Sequence, residues 1–400
     1  MKNKKILFVQ ISNKLIHKNV NRYITEYYKE FSRIKSKNGF YLNPHYFEIP
    51  LWIPRICGFL PDNFIKELYI CTKTKDAVNH IKEGDYDYVL FSVFDVNKEF
   101  ISNIIENCID MNFLKNYTGK IIVGGYTNLS ITNSIIRYCS SLEKLANELG
   151  VTYYYNLDYS LFENQQTIPR LQLSTGCTNN CRFCTMIPDK VIPVDKSLIY
   201  EEVKAFSKLK FKLIYLDDKT FGQCANYKLL TELYHYIKRN ISSEFEGFIV
   251  QTTVRQFVNK EFYKEFSSLY IKYVELGIET LDESLLKEYN KPLRVGEILD
   301  FGVNIKEYTL NNEIKLIPNF MIGFPNDNKA GRVITNSFIT AYKQYFDSIN
   351  INVFADYNST NLNDLSQTNL DKSYLTHTQQ KELKQYHREL YKIATEIIQQ

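Results

Sequence analysis

Between Ser174 and Cys184 the chain reads S-T-G-C-T-N-N-C-R-F-C, which puts Cys177, Cys181 and Cys184 in a C-x3-C-x2-C pattern. Thiolates are soft ligands that suit iron-sulfur clusters and zinc, and cysteines this close on one loop can reach several metal atoms of a compact cluster. Three ligands are one short of a saturated site. An iron-sulfur cube held this way keeps one iron open, much as a catalytic zinc site keeps an open position. A structural zinc site would want a fourth Cys or His at a matching spacing, and the next candidates, Cys224 and His235, stand alone and far downstream. The other cysteines (Cys57, Cys71, Cys108, Cys139 and Cys224) are scattered along a long chain, which does not suit a disulfide framework. The ligand number and spacing predict an iron-sulfur cluster on Cys177, Cys181 and Cys184.

With the aromatic Phe183 just before the last cysteine, this run resembles the signature of the radical S-adenosylmethionine (SAM) superfamily. The resemblance implies a four-iron, four-sulfur cluster whose open iron is chelated by the amino and carboxylate groups of SAM. It implies that one electron from the cluster breaks a carbon-sulfur bond of SAM, giving methionine and a 5′-deoxyadenosyl radical that abstracts hydrogen from a substrate. The cofactor then carries the hard step and the protein positions it.

Two downstream runs extend the likeness over residues 170 to about 330: G-I-E-T-L-D from Gly277 on to Asn290-Lys291, and N-F-M-I-G-F-P from Asn319. By this resemblance Asp217 and Asp218, after the second strand of the region, fall where the methionine ammonium is met, and acidic side chains suit it. Gln251 would serve the ribose hydroxyls, Glu279 the methionine end or ribose, and Lys291, or Arg294 in its place, the SAM carboxylate. Asn319 would reach the ribose, with Ile322 and Gly323 offering backbone and an apolar wall to adenine. Read without the family, Asp217-Asp218 can be caps, Glu279 and Lys291 an ion pair, and Gly323-Phe324-Pro325 a turn.

These residues need elements to hold them. Residues 4–11 read as a buried parallel strand, 86–93 and 119–125 as further strands, and 151–155 as a fourth, with helices over 21–37, 73–82, 97–112 and 128–149. Residues 41–71, rich in Pro and aromatics, give no clear pattern. This alternation predicts an α/β, doubly wound sheet of flavodoxin-like type over 1–160, with any ligand at the carboxyl ends of its strands. The Gly124-Gly125 pair marks a tight turn or a close approach to a ligand. The region resembles the cobalamin-binding domain that precedes the radical SAM domain in one large class of these enzymes, and so admits cobalamin as a further cofactor. The cobalt-ligand motif D-x-H-x-x-G is absent. After the first strand stands N-K-L-I-H-K-N, in which His17 reads as an ordinary helix-flanking residue.

From Arg170 the pattern restarts. Strands over 171–174, 211–216, 245–252, 273–278, 314–322 and 348–354 alternate with helices over 200–209, 227–239, 260–268, 284–289, 295–309 and 330–345. Repeats of this kind predict a partial (β/α)6 barrel over 161–360, with chemistry at the carboxyl ends of its strands. Residues 361–400 form a C-terminal helical extension, its final stretch from 376 a polar amphipathic packing helix. The sixth-strand run N-V-F-A-D-Y-N-S-T-N lacks the proline-glycine turn of many class members, so the substrate is not to be borrowed from the family.

Composition bounds the partners. The 49 Lys and Arg nearly balance the 45 Asp and Glu, and a formal charge of +4 spread along the chain argues against nucleic acid and against an anionic membrane surface. The 31 Tyr and 26 Phe beside a single Trp read as a compositional bias, not as a base-stacking platform. Neither a cleavable leader nor an apolar run near the ~20 residues of a membrane span is evident, so a cytoplasmic protein with reduced thiols is expected. The leading expectation is a radical SAM enzyme, in its specific form a transferase that methylates an unactivated carbon with cobalamin. Its partners would be a small-molecule or peptide substrate and an electron donor such as flavodoxin or ferredoxin. The alternatives are a cobalamin-independent radical rearrangement, cyclisation or coupling enzyme, and a non-catalytic iron-sulfur or ligand-binding sensor on the same scaffold.

Overall fold

A computed structural model describes residues 3–16, 22–109, 120–125, 129, 131–184, 189–263, 265–310, 313–357, 359 and 361–400. His17 lies outside the described residues, as do parts of the helices expected over 97–112 and 128–149. The chain divides into two compact units. The first holds residues 1–19, 42–167 and 204–210, and the second holds 20–41, 168–203 and 211–400.

The first unit is a five-stranded parallel sheet of β1 (Lys4–Ile11), β2 (Phe64–Cys71), β3 (Tyr88–Val93), β4 (Lys120–Gly125) and β5 (Ile136–Tyr138), in the order 2-1-3-4-5. It is doubly wound, as the alternation of strand and helix predicts. Strands β1 and β3 are apolar on both faces, which is what a parallel sheet covered on both sides requires. Ala77, Val78 and Ile81 of the helix Thr74–Glu83 and Ile101, Ile104 and Ile105 of the helix Lys98–Ile109 share one core with these strands.

Three sequence expectations change here. Residues 64–71 form the edge strand β2, whose Lys66 and Glu67 hide its strand character. The helix expected over 128–149 starts only at Leu142, where Ser141 accepts a hydrogen bond from the Lys144 amide as N-cap, and upstream Ile136–Tyr138 pairs with β4 as β5. Residues 151–155 run on without strand pairing, with Tyr154 and Tyr155 exposed.

The second unit is a curled half-barrel in which β6 (Arg170–Leu171), β9 (Leu213–Leu216), β10 (Gly247–Thr253), β11 (Ile271–Glu279), β12 (Lys315–Ile322) and β13 (Asn350–Val353) lie side by side in chain order, all parallel. A separate antiparallel pair, β7 (Ser174–Thr175) and β8 (Ile192–Pro193), frames the cysteine loop. The strand expected over 171–174 is thus broken. Leu173 donates its amide to the Asp218 carboxylate instead of to β9, and the chain leaves the sheet there. Helices cover the outer face, leaving the inner face of β10 to β13 partly accessible at Gln251, Glu275, Gly277, Asn319, Met321, Asn350 and Asn352. The helix Arg22–Lys35, early in sequence, belongs to this unit and packs on the C-terminal helix His377–Ile398, with Tyr27 edge-on to Tyr391 at 5.3 Å between ring centroids. The buried pair Lys35–Asp347, at 3.0 Å, ties it down.

Candidate functional site

The cysteine loop is held at several points. Asp218, 3% exposed, accepts from the Leu173 amide at 3.0 Å and from the Ser174 hydroxyl, so both of its oxygens serve the start of the loop. Burial raises its carboxyl pKa, and these hydrogen bonds oppose the shift. Gly176 has φ +86°, and a Cβ there would meet the Lys190 carbonyl oxygen at 2.3 Å, so only glycine lets the two arms of the loop pass. Further on, the Arg182 amide donates to the Tyr289 carbonyl at 2.9 Å and the Asp189 amide to the Cys177 carbonyl at 3.0 Å.

Cys177 is buried, Cys181 half-buried and Cys184 exposed. Burial pushes the Cys181 thiol up to about 11. Lys291 pulls it down, while Glu279, Cys184 and Cys177 add to the rise, which puts the other two sulfurs within its electrostatic reach. Among the described residues, no group of three His, Cys, Asp or Glu side chains is set to hold a single metal ion. A four-iron cube takes each thiolate on a different iron, so three thiols on one loop are a donor set that suits it.

Against this loop stands an ion pair. Lys291 Nζ lies 2.7 Å from Glu279 Oε1, with the side chains 7% and 10% exposed, and 5.7 Å from the centre of the Phe183 ring. Glu279 has φ +69° at the register shift between β11 and β12, a left-handed conformation that costs a non-glycine residue about 1–2 kcal/mol. A Cβ on Gly277 would sit 2.7 Å from Lys291 Nζ, so this glycine leaves the room that the pair fills.

The remaining predicted residues fall into separate groups. Asp217 faces two cations, Arg170 Nη1 at 3.1 Å and Lys219 Nζ at 3.5 Å, and the Arg170 guanidinium stacks 4.2 Å from the centre of the Tyr215 ring. Gln251 donates to the Lys219 carbonyl at 3.3 Å. The Tyr215 hydroxyl lies 3.0 Å from Gln251 Oε1 and 2.9 Å from Glu275 Oε2, so its single proton serves one of them at a time. Asn319 accepts from Asn350 at 2.7 Å. Ile322 is buried, and Gly323, at φ +76°, accepts from the Tyr374 hydroxyl at 3.0 Å. Arg294 is exposed at the N-cap of the helix Val295–Val303.

The structure therefore brings Cys181, Phe183, Glu279 and Lys291 together, links Asp217 to Gln251 through Tyr215 and Lys219, sets Asn319 beside Asn350, and turns Asp218 toward the loop. Sequence reasoning passed over Thr220. Its hydroxyl lies 3.5 Å from Cys177 Sγ and accepts from Asn179 at 3.3 Å, while Gln223 nearby accepts from the Thr178 amide at 3.2 Å. The available signal was the polar run following β9, at a strand's carboxyl end.

Residues 171–338 match the radical SAM superfamily. The chain carries a radical SAM domain. No curated protein sequence matches the chain. Among solved structures, the cobalamin-dependent S-adenosylmethionine radical enzyme OxsB with aqua-cobalamin bound aligns at TM-score 0.55 and 11% identity, over 95% of this chain and 56% of that one. The form of OxsB with S-adenosylmethionine also bound aligns at TM-score 0.51 and 12% identity, over 98% of this chain and 56% of that one. Likeness at this identity speaks for the fold, and the chain spans little more than half the length of OxsB. The radical SAM domain matched here begins in β6 and ends within the helix Lys329–Tyr342, so it contains the cysteine loop and all the predicted SAM-contact residues.

Proposed function

We propose that this protein is a radical SAM enzyme that reductively cleaves SAM, and that in its specific form it methylates an unactivated carbon with the help of cobalamin. The observation that carries the first part is the loop of Cys177, Cys181 and Cys184 lying against Phe183 and the buried Lys291–Glu279 pair. With the cluster and SAM bound, the cofactors supply an electron and a cleavable sulfonium from which a 5′-deoxyadenosyl radical arises. The chain's own part is positioning. Asp218, Gly176 and Thr220 fix the loop, and Lys291 offers a cation beside Cys181 that can meet a carboxylate. Asp217, Gln251, Glu279, Asn319, Ile322 and Gly323 are the proposed contacts of SAM along the strand ends. Cobalamin is supported by the 2-1-3-4-5 sheet that precedes the domain and by the OxsB fold that spans both units. A polar lining of the half-barrel suits a small-molecule or peptide substrate, with a flavodoxin or ferredoxin as electron donor and with neither nucleic acid nor membrane as partner. A cytoplasmic setting agrees with eight cysteines outside any disulfide and with the lack of a helix, among the described residues, long and apolar enough to cross a membrane.

Anaerobic reconstitution with iron and sulfide, followed by dithionite and SAM, tests this reading. Wild type should form 5′-deoxyadenosine, and a Cys177→Ala, Cys181→Ala, Cys184→Ala variant should form none. Equal product from both would end the radical SAM proposal.

A further inference from the structure

The long connection between β1 and β2 returns one imidazole to the carboxyl end of β1. Residues 43–47 form a tight turn in which Phe47 donates its amide to the Asn43 carbonyl at 2.7 Å and takes φ +47°, a strained conformation for an aromatic residue. His45 stands at its apex. Three bonds hold it: its amide donates to Asn43 Oδ1 at 2.8 Å, its carbonyl accepts from the Asn13 amide at 2.6 Å, and its Nδ1 lies 3.1 Å from Ser12 Oγ. Ser12 follows β1 directly, is fully buried, and accepts from the Lys14 amide at 3.1 Å. In the tautomer protonated on Nδ1, Ser12 Oγ accepts from both the ring and the Lys14 amide, and the Nε2 lone pair is left for a ligand. A second partner on the non-ligating ring nitrogen is the usual mark of a metal-binding histidine.

The place matters as much as the geometry. In the order 2-1-3-4-5 the direction in which successive strands are added reverses between β1 and β3, and ligands of open parallel sheets sit outside the carboxyl ends of the strands at such a switch point. The ends of β3 and β4 complete an edge suited to a flat apolar ring. After β3, Phe94 and Val96 are 39% and 57% exposed, on a loop that Asn97 fixes by accepting from the Phe94 amide at 2.8 Å and donating to the Ser92 carbonyl at 3.0 Å. At the end of β4, Gly125 has φ +112°, and a Cβ there would meet the Val93 carbonyl oxygen at 2.2 Å, so only glycine brings this end so close to β3. An imidazole, an exposed apolar pair and a close-packed glycine on three neighbouring strand ends fit a corrin lying across them.

We infer that His45, oriented by Ser12, is an axial cobalt ligand through Nε2, taking the role for which the sequence has no D-x-H-x-x-G motif. This rests on the cobalamin part of the proposed function. The test is the electron paramagnetic resonance of the full chain loaded with cobinamide, which lacks the nucleotide base, and reduced to the cobalt(II) state. Wild type labelled with 15N-histidine should show a superhyperfine doublet, and unlabelled wild type a triplet. His45→Gln should lose the splitting and hold cobinamide about tenfold more weakly, while His17→Gln should keep the doublet even if His45→Gln binds too little corrin to measure. Bound cobinamide without nitrogen splitting, or a doublet that survives in His45→Gln or vanishes in His17→Gln, overturns the assignment and leaves the cobalamin reading standing. A wild-type chain that retains neither cobinamide nor hydroxocobalamin overturns both.

Discussion

In the first unit the chain lays β2 on one side of β1 and then jumps back to place β3, β4 and β5 on the other side, whereas in the second unit each strand of the half-barrel is laid beside the one before it. Both sheets are parallel and both alternate strand with helix. The first covers both faces of β1 and β3 with apolar side chains, so it offers a ligand only the edge where the strand order reverses. The second never reverses, curls, and covers only its outer face. Its inner positions recur with a period of two along β11, β12 and β13 and carry Glu275, Asn319, Asn350 and Asn352. Strand order alone thus decides whether the same βα unit builds an edge site or a concave one.

The sharpest way to break this contrast is to remove one charge from the concave side. Lys291→Met should destabilise the second unit by about 4 kcal/mol in urea unfolding, because it leaves Glu279 buried without its partner, and adding Glu279→Gln should restore most of the loss. A single variant as stable as wild type would mean that the pair does not anchor this face. Next come two glycines, one at each kind of site. Gly125→Ala drives a Cβ into the Val93 backbone and should cost about 3 kcal/mol, whereas Gly323→Ala meets side-chain methyls of Leu383 and Val353 and no backbone, and should cost about 1 kcal/mol. Hydrogen exchange should lose protection at 88–93 and 120–125 in the first variant and leave 271–322 unchanged. Equal costs would show that the edge of the first sheet is no more tightly packed than the mouth of the second.

A smaller effect should separate the units by pH. Burial lowers the pKa of His387, on the C-terminal helix, to about 4. Its folded value lies below its unfolded one, so the unfolded chain binds more protons between these values and stability falls as pH drops from 6.5 toward 4. The second unit should lose about 2 kcal/mol between pH 7 and pH 5 through this group. His387→Leu should flatten that dependence, and an unchanged pH profile in the variant would remove His387 as its source.

Elements written as continuous apolar runs were legible: β1, β3 and β4, and in the half-barrel β9 to β12, because a strand covered by neighbours on both sides has little room for polar residues. Strand β2 was not legible. An edge strand keeps one side in solvent and so tolerates Lys66 and Glu67. Strand β5 reads as helix in the sequence because its apolar residues continue at a spacing compatible with the helix that follows, and only its pairing with β4 separates the two.

The sequence by itself determined the C-x3-C-x2-C pattern, since three thiols at this spacing are a local property of one loop, and it determined the two runs of βα units, since hydrophobic period is local as well. Only the tertiary structure decided what those thiols meet. Thr220 beside Cys177, Lys291 beside Phe183, and Asp218 under Leu173 and Ser174 are pairs separated by 43 or more residues, and nothing in the local pattern of either partner specifies the other. The same holds for His45, which lies 33 residues after Ser12 and reaches it only because the β1–β2 connection folds back on the sheet. A side chain's type is written in the sequence, but its partner is fixed by the packing of elements that may lie anywhere along the chain.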